Sequence, residues 1–188
     1  MPGRLSTDDC GGMAADTFLV YAGVYGNLGD AEADYDAVKD LHTKAHLIDA
    51  YDAAVIERKD NGKVKIVKKH ETPTRVGGVL GGGVGLASGL VIALFPAAAI
   101  GGGILAATTG GGALLGAVAG HAAAGMSRKD LKEIGEQLDD GQAGLVVVGV
   151  SDMESKIESA MKRAEKVEAK QMKADAKEIE ADAKEATS

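Results

Sequence analysis

Few residues in this chain could do chemistry, and each lacks the partners that chemistry requires. Cys10 is the single cysteine. A nucleophilic thiol needs a neighbour that favours the thiolate, usually a histidine or another cation. The stretch Asp8-Asp9-Cys10-Gly11-Gly12 surrounds it with acids instead, so it reads as an incidental thiol. One cysteine permits no intramolecular disulfide, which fits a reducing compartment. His42 and His46 have the i,i+4 spacing of helical metal ligands, but no third His or Cys ligand is spaced to join them. They read as surface histidines, and no metal is expected. His121 is the only titratable side chain within a long apolar stretch and has no acid there to partner it. The run Gly83-Val84-Gly85-Leu86-Ala87-Ser88-Gly89 approaches a dinucleotide-binding pattern. It lacks the preceding strand-to-helix turn, the acid about twenty positions on, and any Gly-Lys-Ser/Thr phosphate loop. No cofactor or catalytic residue is therefore assigned, and the chain is read as no enzyme.

Bulk properties narrow the partners further. The formal net charge is −7 and aromatic residues make up 3%, with no Trp. An acidic chain without stacking platforms is a poor match to nucleic acid, and no small-molecule substrate is evident. The first twenty residues lack a cationic start followed by an apolar run, so no secretory signal is expected.

The dominant feature is a segment that has to be buried. Between Arg75 and Arg128 there is no Asp, Glu, Lys or Arg, and a solvated loop of that length and composition is not credible. Gly77, Gly81, Gly85 and Gly89 recur every four residues, as do Gly112, Gly116 and Gly120. On a helix that spacing bares one face, so that two helices can meet backbone to backbone. These seven glycines are the candidate self-association residues. Phe95-Pro96 is the natural turn between two helices, roughly 76–94 and 97–125, folded as a hairpin. A helix over 76–94 nearly matches the roughly 20 residues that span a bilayer. Arg75 at one flank and Arg128 with Lys129 at the other would put both flanks on the cytoplasmic side. No Trp or Tyr belt marks either end, so burial against other copies of the chain stands as the alternative to burial in lipid.

The elements around the segment supply the soluble part. Residues 17–25 are rich in β-branched and aromatic side chains and read as a buried strand. From Leu28 a helix follows, with Asn27 or Asp30 able to cap it and Asp30, Glu32 and Asp34 early in its course. Residues 47–58 read as a strand, and Asn61-Gly62 signals a hairpin into Lys63–Lys69, where lysines alternate with Val64 and Ile66. Ser127 and Asp130 start a second helix whose face is Leu131, Ile134 and Leu138. Ala143–Val150 is wholly apolar and suits the centre of a sheet. The order β-α-β-β-α-β predicts an α+β ferredoxin-like fold, with both helices on one face of an antiparallel sheet and the hairpin inserted. Beyond Ser151, a heptad-like seam of Met153, Ile157, Ala160, Ala164 and Val167 predicts one charged C-terminal helix. The expected organisation is a flexible segment 1–15, first half 16–74, apolar hairpin 75–126, second half 127–150 and charged helix 151–188.

The strand Phe18–Tyr25, the run Arg75-Val76-Gly77-Gly78-Val79-Leu80-Gly81-Gly82-Gly83-Val84-Gly85 and the strand Val146-Val147-Val148-Gly149 together resemble a bacterial family of predicted membrane proteins of unknown function. That resemblance covers most of residues 16–150 and carries no catalytic residues. It implies a glycine-rich membrane or self-association hairpin between ferredoxin-like halves. The expected function is thus a non-enzymatic homo-oligomer at the cytoplasmic membrane, with its soluble domain in the cytoplasm. A soluble, self-assembling cytoplasmic scaffold or shell is the alternative.

Overall fold

The computed structural model describes residues 16–45, 51–71, 86–95, 99–100, 120, 126–140, 142–150 and 154–174. They form a mixed α+β unit with ten elements: β1 (Asp16–Tyr25), α1 (Leu28–Thr43), β2 (Tyr51–Arg58), β3 (Val64–Glu71), α2 (Leu86–Leu94), β4 (Ala99–Ile100), α3 (Arg128–Asp140), β5 (Ala143–Val150), α4 (Glu154–Ala160) and β6 (Lys166–Ala174). One sheet runs in the order β4-β3-β2-β5-β1-β6. Every pairing is antiparallel except the two-residue β4, which joins β3 in parallel.

Local chemistry accounts for most of these elements. The Asn27 side chain accepts a hydrogen bond from the Asp30 amide at 2.9 Å and starts α1. Ser127 does the same for Asp130 at 3.0 Å, and its hydroxyl in turn donates to the Asp130 carboxylate at 2.6 Å. The β2–β3 turn closes through Lys59 N–H to the Lys63 carbonyl at 2.9 Å, with Gly62 at φ 75°, a conformation that favours glycine.

The strand order departs from the expected one, and the reason lies in side-chain character. In the ferredoxin-like scheme the hairpin partner of the second strand fills the gap between the first two parallel strands. Here β5 fills it, pairing with β1 on one side and β2 on the other. Leu145 through Val148 are all buried, whereas β3 carries Lys65, Lys68 and Lys69 at half-buried positions. An apolar strand loses nothing by burial on both faces, while a lysine-bearing strand must keep solvent in reach. So β3 lies outside β2.

The helices also divide differently. Leu19, Tyr21 and Tyr25 of β1 face α1 and α4, packing with Ala31, Tyr35, Val38 and Ile157. Val20, Ala22 and Val24 face the other way, toward Ala87, Leu90 and Val91 of α2 and Ile134 and Leu138 of α3. The two helices predicted to share a face, α1 and α3, therefore lie on opposite faces. A β1 apolar on both sides demands that arrangement, since each row of side chains needs its own cover.

The C-terminal part is not one helix. Helix α4 stops at Ala160, and the chain returns as β6, paired with β1 from Asp16↔Ala174 to Val24↔Lys166. The seam residues Ile157 and Val167 do turn toward the same core. They reach it from a helix and a strand, because the free edge of β1 offers nine residues a complete hydrogen-bonding ladder that an isolated helix does not.

Candidate functional site

The glycine-rich segment enters the described structure through α2. This helix has nine residues, roughly 14 Å of rise, and no acidic or basic side chain in its terminal turns. Its N-terminus is held by Asp52, whose carboxylate accepts from the Leu86 amide at 2.6 Å and is itself only 5% exposed. A carboxylate at a helix N-terminus meets both the orphan amides and the positive end of the dipole. Ala87, Leu90 and Val91 are buried against the sheet. Leu86, Ile92, Leu94 and Phe95 remain half-buried, with Leu94 reaching α3 near Gly135 and the Arg58 guanidinium 5.9 Å from the centre of the Phe95 ring.

This placement changes the reading of the segment. Residues 86–94 were expected to end a near-spanning helix. Instead they form a short helix docked on the sheet, and among the described residues no helix is long and apolar enough to cross a membrane. Leu90 is fully buried. Gly89 is buried within α2, and Gly120 is exposed, with open space where a Cβ would be. Gly77, Gly81, Gly85, Gly112, Gly116 and Arg75 lie outside the described residues, as do the turn at Pro96 and most of the second expected helix. Arg128 and Lys129 are exposed in the first turn of α3, with the Lys129 ammonium 3.6 Å from Glu133. Of the two expected basic flanks, the Arg128–Lys129 side is the one described, and of the seven glycines Gly89 and Gly120 are described.

A second cluster surrounds Asp34, which sequence reasoning took only as a charge early in α1. It is fully buried and accepts three hydrogen bonds: from the Tyr25 hydroxyl at 3.3 Å, the Arg163 amide at 2.7 Å and the Arg163 guanidinium at 2.8 Å. Burial first, and then the Asp34 charge, push the Tyr25 phenol far above its ordinary value. A buried carboxylate that accepts three donors from two other elements is a structural pin. It ties α1 to the turn between α4 and β6. Beside it lies an open cleft of about 480 Å³ with an apolar floor of Ala37, Leu41 and Ala160, rimmed by Lys156, Lys162 and Arg163.

The third cluster is aromatic. Tyr51 stacks on His70 with ring centres 4.6 Å apart, and His42 meets Tyr51 edge-on at 5.5 Å. His42 is therefore half-buried and engaged with Tyr51 and His70, a correction to its reading as a surface residue. Burial raises the Tyr51 phenol well above its ordinary value, with Tyr35 and Asp52 adding to the effect. Among the described residues, no three His, Cys, Asp or Glu side chains gather where they could hold a metal ion. His46, His121 and Cys10 lie outside the described residues.

The Asp34 network was hard to find in sequence because Tyr25, Asp34 and Arg163 come from three distant elements. One signal was available. Asp34 lies one position before the core residue Tyr35 and three after the core residue Ala31, on the face of α1 that meets the sheet, where an acid has to be paired.

Fold and sites define a mixed α+β protein in which one short apolar helix, α2, lies on the sheet. No protein-family model, curated protein or solved structure matches the chain.

Proposed function

We propose that the protein is a non-enzymatic homo-oligomer held in or on the cytoplasmic membrane by its glycine-rich segment, with the α+β domain on the cytoplasmic side. The observation that carries this reading is the composition of α2 and its surroundings. The helix carries no charged side chain, one side lies on the sheet with Leu86, Leu94 and Phe95 partly buried against the same core, and Ile92 is half-buried outside that cluster. The chain on either side of it, from Val76 to Ser127, carries no Asp, Glu, Lys or Arg to keep it solvated. Lipid or other copies of the same segment are the apolar partners available to a chain of this kind. Arg128 and Lys129, exposed at the end of the segment, favour contact with an anionic leaflet.

The second reading is a soluble assembly in which these segments pack subunit against subunit. The docking of α2 on the sheet favours it, because that part of the segment serves the domain and is too short to span a bilayer. Membrane fractionation separates the two. The membrane reading expects sedimentation with membranes that resists carbonate and high salt, since apolar burial rather than charge pairing holds the protein there. A large particle in a detergent-free extract supports the assembly, and a soluble monomer overturns both.

Within the domain, we read β1-α1-β2 and β5-α4-β6 as the two halves of a ferredoxin-like unit. Their strand order β2-β5-β1-β6 supports this, as does the packing of α1 and α4 on one face. In that reading the whole of 59–142 is the insertion, and α2 and α3 cover the face of the sheet opposite α1 and α4.

A further inference from the structure

We infer that β6 is a homotypic pairing edge, joining the β6 of a second copy in an antiparallel register centred on Ala169. Among the described residues β6 has a neighbour, β1, on one side only. The outer edge of this nine-residue strand presents a row of backbone donors and acceptors, which is a template for another strand. A two-fold axis normal to the sheet keeps each face continuous across the seam, and directly opposed residues must then share a face. The axis must therefore pass through a residue, and only whole-residue centres are allowed.

Charge selects among them. Centred on Lys170, the strand opposes lysine to lysine on the axis. Centred on Glu168, it opposes glutamate to glutamate there and Lys166 to Lys170. Centred on Ala169, it opposes Glu168 to Lys170 twice, with no like charges opposed within Lys166–Ala174. Opposite charges across a strand pair stabilise it and like charges destabilise it. The Val167 register also opposes Lys166 to Glu168 but overlaps only three residues of β6, so among registers that overlap seven or more residues the Ala169 register is the one that opposes opposite charges. This seam uses no residue of the glycine-rich segment. Its failure would leave the membrane reading untouched, because that reading is judged by fractionation.

The test is a cross-link in the full-length protein, in cells or native membranes, in a Cys10→Ser background. Opposed residues in an antiparallel pair have Cβ atoms about 4.5–5.5 Å apart, close to disulfide range. Ala169→Cys should therefore give a disulfide-linked dimer under mild oxidation. Gln171→Cys should not, since in this register Gln171 faces Val167 and lies about 13 Å from its own counterpart. Adding Glu168→Lys to the Ala169→Cys chain opposes lysine to Lys170 twice and should abolish the link. Linking at Gln171→Cys equal to or greater than at Ala169→Cys, or at neither, overturns the proposal.

Discussion

Leu90→Ala should be among the most damaging single substitutions in the protein. Leu90 is fully buried between α2 and the sheet, in the cluster containing Val20, Ala54, Val146 and Ile134. Removing its three outer carbons forfeits their transfer free energy and leaves a cavity that strands cannot collapse to fill. The expected cost is about 2–5 kcal/mol. Ile92, half-buried on the same helix, is the internal comparison: Ile92→Ala should cost about 1 kcal/mol, since less of its surface leaves water on folding. Urea unfolding of the purified full chain, followed by circular dichroism, reads both. With a slope of roughly 2 kcal/mol per molar urea, Leu90→Ala should lower the midpoint by about 1–2 M. Equal midpoints for Leu90→Ala, Ile92→Ala and the unaltered chain would mean that α2 is not docked on the sheet. On the same logic, replacing 75–127 by a linker uncovers Ala54, Val146 and Met126's neighbours on that face and should abolish cooperative unfolding.

The other predictions concern the pin, the central strand and alkaline pH. Arg163→Ala leaves a fully buried Asp34 without its counter-charge and should cost about 2–4 kcal/mol, against about 1–2 for Asp34→Asn. The double variant should be less unstable than the sum, and strict additivity in a double-mutant cycle would refute the coupling. Gly144→Ala places a Cβ 2.7 Å from Leu138 Cδ2 and 3.0 Å from Ile56 Cγ1, so overpacking should cost about 1–3 kcal/mol by urea midpoint. Tyr25 and Tyr51 hold their protons more tightly folded than unfolded. Their contribution is therefore complete below the free phenol value near 10 and is lost as pH rises above it, by up to about 1.4 kcal/mol per pH unit for each phenol. Absorbance at 295 nm should show both phenols ionising only with unfolding; ionisation near pH 10 in the folded protein would contradict the burial.

Legibility in the sequence followed locality. Asn27, Ser127 and the Asn61-Gly62 turn act on their immediate neighbours, and each does in the structure what its type and spacing predict. The wholly apolar Ala143–Val150 lies inside the sheet, again as its composition demands. What failed were inferences that depended on distant partners. Lys166–Ala174 has the composition of a solvated helix, and it becomes a strand because the free edge of β1 offers its backbone a complete hydrogen-bonding ladder. The signal was present in β1 rather than in β6. Four-residue glycine spacing does not by itself define the contact face, since Leu90 is buried as well as Gly89. Asp34 carried a signal in its helical phase, but Arg163, 129 residues on, could not be matched to it from spacing alone.

The most direct test of the central claim is where the full-length protein goes when cells are broken without detergent. The account predicts that it sediments with membranes, stays there through carbonate and high salt, and emerges in mild detergent as a multimer by sedimentation velocity. Gly81→Leu and Gly116→Leu should reduce that multimer while leaving the domain folded. A monodisperse soluble monomer in the detergent-free supernatant would contradict both the anchoring and the self-association.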